Sequence, residues 1–298
     1  MKKPKIIVIV GPTGSGKTAL SLLLAKQFDG EVINADSRQV YKGLDIGTEK
    51  ITQDEMDGVP HHLLDVVSIT KTYTAADFKR DAENAIKNIL SRGKVPIIAG
   101  GTFFYIDTLL GKMSNAQVAP NPELRAVLEQ KSTEELFLEL KEKDPRRAEA
   151  IDKDNKRRLV RALEIIEAID HVPVFEVQTE SSYEALILGL EVDPVLLRTK
   201  LRTRAEAALT KGLVEETKKL LGSGVSKERL LEIGHEYKLV LTYLDGTITD
   251  AELIQKCEEK NWQYAKRQRM WLKRDKTIEW FHPEDTSAIV SKVTEFLH

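Results

Sequence analysis

Residues 6–20, IIVIVGPTGSGKTAL, constrain the fold more than any other stretch. Five β-branched apolar residues run straight into a glycine, the pattern of a parallel strand buried on both faces. The next eight residues, Gly11, Pro12, Thr13, Gly14, Ser15, Gly16, Lys17 and Thr18, match G-x-x-x-x-G-K-[ST] in full. The spacing has a chemical reason. Glycines let successive backbone N–H groups turn inward around a phosphate at a helix N-terminus, Lys17 adds a mobile positive charge, and Thr18 offers a hydroxyl to Mg²⁺. Leu20, Leu23, Leu24 and Phe28 then recur at helical spacing, so strand, loop and helix are predicted in that order, with a bound phosphate between them.

The alternation continues. EVINADS (31–37) reads as a second strand, Thr74 caps a helix over 75–91 that Gly93 stops, and KVPIIAGG (94–101) reads as a third strand. This predicts an α/β fold of P-loop NTPase type, a parallel sheet flanked by helices. Near residue 112 the pattern changes: GKMSNAQVAPNPEL has the composition of a linker, and the residues up to about 169 read as helices alone. Asn121 with Pro122 marks one helix start, Ser132 with Glu135 a capping box, and 155–169 a third helix with Leu159, Leu163 and Ile166 on one side. Residues 116–182 are therefore expected to form a helical insertion in a core made of 1–115 and 183–298. EALILGLEVD (184–193) reads as a strand returning to the sheet, and Asp193 with Pro194 starts a further helix. Thr249 with Glu252 opens a long helix expected to close the chain.

Bulk properties set outer limits. The 298 residues, 41% hydrophobic and 31% charged, suffice for a sizeable core. No apolar run reaches the length of a membrane span, and the run before Gly11 is too short for a signal-peptide core, so a cytoplasmic location is expected. Cys257 is the only cysteine, which excludes an internal disulfide and a Cys-rich zinc site. Net charge is −2, but KNWQYAKRQRMWLKRDK (260–276) sets seven basic residues against Asp275, and KRRLVR (156–161) is a second basic cluster. Either can be a solvated helix face; two of them beside a phosphate loop point to a polyanion.

The loop leaves its phosphate open. An ATPase of this class carries an acid at the end of a second apolar strand, whereas VPIIAGG ends in Gly100, Gly101 and Thr102. The acid at a strand end here is Asp36. Ligands collect at the carboxyl ends of strands in such sheets, so Asp36 and Thr102 are expected to face the cleft beside the loop. Asp36 can act there as a general base or simply cap a turn. A small-molecule kinase using ATP, with Asp36 as base, is one function that fits.

GPTGSGKT, NADSRQVYKGLDIGT, PHHLLD, YTAADF, GGTFFY, RRLVRALEI, GLVEE and YAKRQRMWL, in this order over nearly the whole chain, resemble the bacterial tRNA dimethylallyltransferases, also called tRNA isopentenyltransferases. The resemblance implies transfer of a dimethylallyl group from its diphosphate to N6 of the adenosine beside the anticodon, position 37 of tRNA, with Mg²⁺ as cofactor. It makes the 11–18 loop the holder of the donor diphosphate, with Thr18 on the metal and Arg204 reaching the same diphosphate. It assigns Asp36 as the base that takes a proton from the adenine amine and Thr102 as its hydrogen-bonding neighbour. It also places Asp36, Ser37, Arg38 and Gln39 on a flipped base, and Thr102, Arg125, Arg157, Arg158, Leu159, Val160 and Arg161 on tRNA. A monomer acting on the anticodon stem-loop is implied.

The chain departs from that pattern in places. IGHEY brings His235 and Glu236 where the family has tyrosine and a basic residue, which is expected to weaken RNA contact. Trp262 and Gln263 stand where arginines are frequent. Phe103 and Phe104 replace smaller residues and are expected to narrow or reline the channel.

Overall fold

The computed structural model describes residues 2–113, 118–173 and 181–298. The chain divides into two compact units, residues 1–112 with 180–298, and residues 113–179. The boundary expected between 115 and 116 lies outside the described residues.

Among its described residues the first unit is built on six strands: β1 (Lys5–Val10), β2 (Gly30–Asn34), β3 (His61–His62), β4 (Val95–Ala99), β5 (Glu184–Leu190) and β6 (Ile278–Phe281). They form one sheet in the order β3-β2-β4-β1-β5-β6, with every neighbouring pair parallel. In β1 successive side chains enter opposite cores. Ile6, Val8 and Val10 meet Phe78, Ile86 and Ile89 of the helix Ala75–Ser91. Ile7 and Ile9 meet Leu20 and Leu24 of the helix Lys17–Gln27, and Ile289 and Val293 of the helix Thr286–Leu297. Burial on both faces explains the absence of polar alternation in the run, and each fully buried isoleucine contributes about 2 kcal/mol.

β1 lies between β4 and β5: β2, β3 and β4 follow it on one side, and β5 and β6 come later on the other. A crevice at the carboxyl ends of β1, β2 and β4 follows from that order. The caps anticipated at Thr74, Asp193 and Thr249 are formed: Thr74 pairs with Asp77, Thr249 with Glu252, and Asp193 accepts from the N–H groups of Val195 and Leu196. The helix Asp250–Leu272 does not close the chain as expected. β6 and the helix Thr286–Leu297 follow it, because β6 is only four residues long and emerges from the charged turn RDKT, which hides its period.

Among its described residues the second unit is all helical: Pro122–Leu128, Thr133–Lys143, Pro145–Ala150 and Lys156–Ile169. Asn121 caps the first helix and Ser132 with Glu135 boxes the second. Leu128, Leu136, Leu140, Leu159, Leu163 and Ile166 give it a core of its own.

Candidate active site

β1 delivers the 11–18 loop onto the N-terminus of the helix Lys17–Gln27. Gly11 sits at φ 155°, and a Cβ there would lie 2.6 Å from Ser15 Oγ and 3.1 Å from the Leu190 carbonyl, so the tight turn requires glycine. The Ser15 N–H closes the turn onto the Pro12 carbonyl at 3.2 Å. Gly16, at φ 95°, caps the helix, whose first-turn N–H groups at Lys17 and Thr18 have no acceptor within it. Lys17 Nζ folds over the loop and donates to the carbonyls of Gly11 (3.0 Å) and Pro12 (2.9 Å). Burial, reinforced by the Arg204 charge, lowers its pKa from 10.5 to about 8.

Asp36 lies two residues past the end of β2. Its Oδ1 accepts from the N–H groups of Arg38 (2.8 Å) and Gln39 (3.3 Å), so it does cap a turn. Its Oδ2 accepts no hydrogen bond from a described residue. The capping and general-base roles are thus compatible, one oxygen each. Thr102, past the end of β4, accepts from the Ser37 N–H at 2.9 Å and donates to Ser37 Oγ at 3.1 Å. It fastens the Asp36 loop to the sheet.

Loop and carboxylate share one cavity of about 330 Å³, whose walls include Thr13, Gly14, Gly16, Lys17, Thr18, Asp36, Ser37, Arg38, Gln39 and Arg204. Thr102 lies behind this wall and acts through Ser37. Gly11, Pro12 and Ser15 shape the loop from behind. Phe103 and Phe104 do not line the cavity: Phe103 is packed in the core beside Phe78, and Phe104 is exposed, which corrects the expectation of a relined channel. Arg204 ion-pairs with Glu49 at 2.7 Å. Arg38 ion-pairs with Glu236 at 2.8 Å and lies 5.8 Å from the centre of the Tyr264 ring. Burial lowers the His235 pKa, and the ring Nε2 lies 3.1 Å from both Glu236 Oε1 and Asn261 Oδ1.

Several wall residues escaped the sequence reading: Glu49, Asn261, Tyr264 and Gln268. Asn261, Tyr264 and Gln268 stand at i, i+3 and i+7 on one helix face, within a run read for its charge and its family resemblance and not for that face. Trp271 of that run packs on the core, with Nε1 donating to Asp107 at 2.9 Å. No group of three His, Cys, Asp or Glu side chains could hold a metal among the described residues. Thr18 on the cavity wall fits Mg²⁺ in another way, because this ion takes few protein ligands and the rest from phosphate oxygens and water.

In the second unit, Arg157 and Arg158 are exposed. Arg125 and Arg161 both bind the buried carboxylate of Glu164. Leu159 and Val160 are 0% and 5% exposed core residues, so their side chains point into the helical core.

A phosphate-gripping loop and a strand-end carboxylate facing one cavity on a parallel sheet define a group-transfer protein of P-loop architecture. The profile of the IPP transferase family matches residues 39–275. A tRNA dimethylallyltransferase of Anoxybacillus flavithermus is 38% identical over 298 residues, covering 99% of this chain and 95% of that protein. The solved full-length tRNA isopentenylpyrophosphate transferase of Bacillus halodurans superposes with a TM-score of 0.73 at 34% identity, covering 99% of this chain and 97% of the other. A eukaryotic dimethylallyltransferase acting on tRNA gives a TM-score of 0.74 at 31% identity, over 90% of this chain and 70% of its own. The chain belongs to the IPP transferase family.

Proposed function

We propose that this chain transfers a dimethylallyl group from dimethylallyl diphosphate to N6 of adenosine 37 in the anticodon stem-loop of tRNA. The observation that carries this is the single cavity joining the 11–18 loop to Asp36. The first-turn N–H groups, Lys17 and Arg204 bind the donor diphosphate. Their pull is strongest as the allylic C–O bond breaks and charge grows on the leaving oxygen. The adenine amine forms the new C–N bond, and its proton passes to Asp36 Oδ2, the oxygen that the turn leaves unused. Thr102 holds the Asp36 loop through Ser37 while this happens. Thr18 would help to hold Mg²⁺, which would supply further neutralisation of the leaving group.

Ser37, Arg38 and Gln39 meet the flipped base, and Arg125, Arg157, Arg158 and Arg161 bind the tRNA backbone. Since one chain supplies every part of the cavity, a monomer suffices. A tRNA substrate supports a cytoplasmic location. No described helix is long and apolar enough to cross a membrane.

The test is incubation with Mg²⁺, unmodified tRNA and either labelled dimethylallyl diphosphate or labelled ATP. Label reaches tRNA from the prenyl donor alone. Asp36→Asn lowers turnover by about 1,000-fold, with tRNA affinity within about threefold of wild type. Label arriving only from ATP, as a kinase would give, refutes the proposal.

A further inference from the structure

We infer that Gln268 is a positioning residue for the transfer, because its carboxamide ties the phosphate loop to the strand end beside Asp36. The inference rests on the function proposed above. Gln268 is only 4% exposed. Its Oε1 accepts from the Thr13 N–H at 2.8 Å, and its Nε2 donates to the Gly101 carbonyl at 2.9 Å. The Tyr264 hydroxyl reaches the same carbonyl at 3.3 Å. Gly101 precedes Thr102, which holds Ser37, the neighbour of Asp36. One connected path therefore runs from the donor loop through Gln268, Gly101, Thr102 and Ser37 to the base.

Four features make this a device for spacing. An amide end offers a neutral acceptor and a donor together at any pH, so an ionised glutamate loses one bond and methionine loses both. The Thr13 N–H is already engaged by Gln268, so this donor serves to place the loop. Gly101 has no side chain, and a Cβ there would lie 2.8 Å from Gln268 Nε2 and 3.7 Å from Asp36 Oδ2, which puts the amide and the base on the same side of that residue. The helix that carries Gln268 is anchored in buried layers by Cys257, Ala265 and Leu272, so the amide is held from a rigid element.

The full chain is compared with Gln268→Met and Gln268→Glu by steady-state kinetics, thermal melting and calorimetric binding of inorganic diphosphate with Mg²⁺. In Gln268→Met, kcat falls by about 100-fold, the loss that a displacement of about 1 Å produces, while the KM for tRNA stays within about threefold. Gln268→Glu regains the missing donor when its buried carboxyl is protonated, so its kcat relative to wild type rises as pH is lowered from about 8 to about 6. A Gln268→Met kcat within about twofold of wild type overturns the inference, as does a flat Gln268→Glu ratio, which also decides the matter if Gln268→Met does not fold. Loss of folding in both variants overturns it too, by making Gln268 purely structural. If the wild-type chain does not prenylate tRNA, the proposed function fails instead. Diphosphate binding, about tenfold weaker in Gln268→Met, then tests the anchoring of the loop separately.

Discussion

Raising the pH loosens the hold of Lys17 on a diphosphate, by an amount that its surroundings fix. In the free protein, burial and Arg204 keep its pKa at about 8 rather than 10.5. A diphosphate alongside favours the ammonium form and returns the pKa to the ordinary value or above. Above pH 8 the ligand therefore binds together with a proton. With a pKa of about 8 free and 10.5 bound, affinity falls about tenfold from pH 7 to pH 9, or about 1.4 kcal/mol. At pH 8 about half a proton is taken up per diphosphate bound. Calorimetry in two buffers of different ionisation enthalpy measures this uptake, and a titration series gives the slope. Lys17→Met binds weakly and without slope. Equal wild-type affinity at pH 7 and pH 9, with no proton uptake, refutes the reasoning. The same shift acts on folding. The unfolded chain keeps this proton up to about 10.5 while the native one releases it near 8, so stability without ligand rises with pH between those values, by up to about 3 kcal/mol.

Two further outcomes concern charge elsewhere. Glu236 occupies Arg38, so Glu236→Gln frees one cation for RNA. The slope of log affinity for tRNA against log salt steepens by about 0.7, an extra factor of about 2.5 between 50 and 200 mM KCl in a filter-binding series, and parallel lines would refute the point. Glu164 is 1% exposed and holds the Asn121 N–H, Arg125 and Arg161. Glu164→Gln destabilises the second unit by about 2 kcal/mol, discounted from a fully buried pair because both arginines are partly exposed; hydrogen exchange in the helix Lys156–Ile169 reports it, and unchanged protection would contradict it.

Local chemistry made the loop, its strand and its helix legible, since glycine spacing and an unbroken β-branched run each admit few conformations. The helix caps were legible for the same reason, because Thr74, Asn121, Ser132, Asp193 and Thr249 each satisfy a backbone N–H within three residues. β3 and β6 were not, being two and four residues long and defined by their partners in the sheet. In the site, Asp36 stood out by its position at a strand end. Gln268 did not, because its two bonds join residues 255 and 167 positions away in the sequence. Glu236 was visible as an unusual acid, but its ion pair with Arg38 required the fold.

The sheet order also bears on how the chain is made. Ile7 pairs with Ile97 and with Leu186, partners 90 and 179 positions later, so β1 lacks one hydrogen-bonded edge until more than half the polypeptide has been synthesised. During translation that open edge invites pairing with other nascent chains, while residues 113–179 can already close their separate core. The insertion can thus mature before its host, and the larger, site-bearing unit is the last to leave the care of the ribosome and its chaperones.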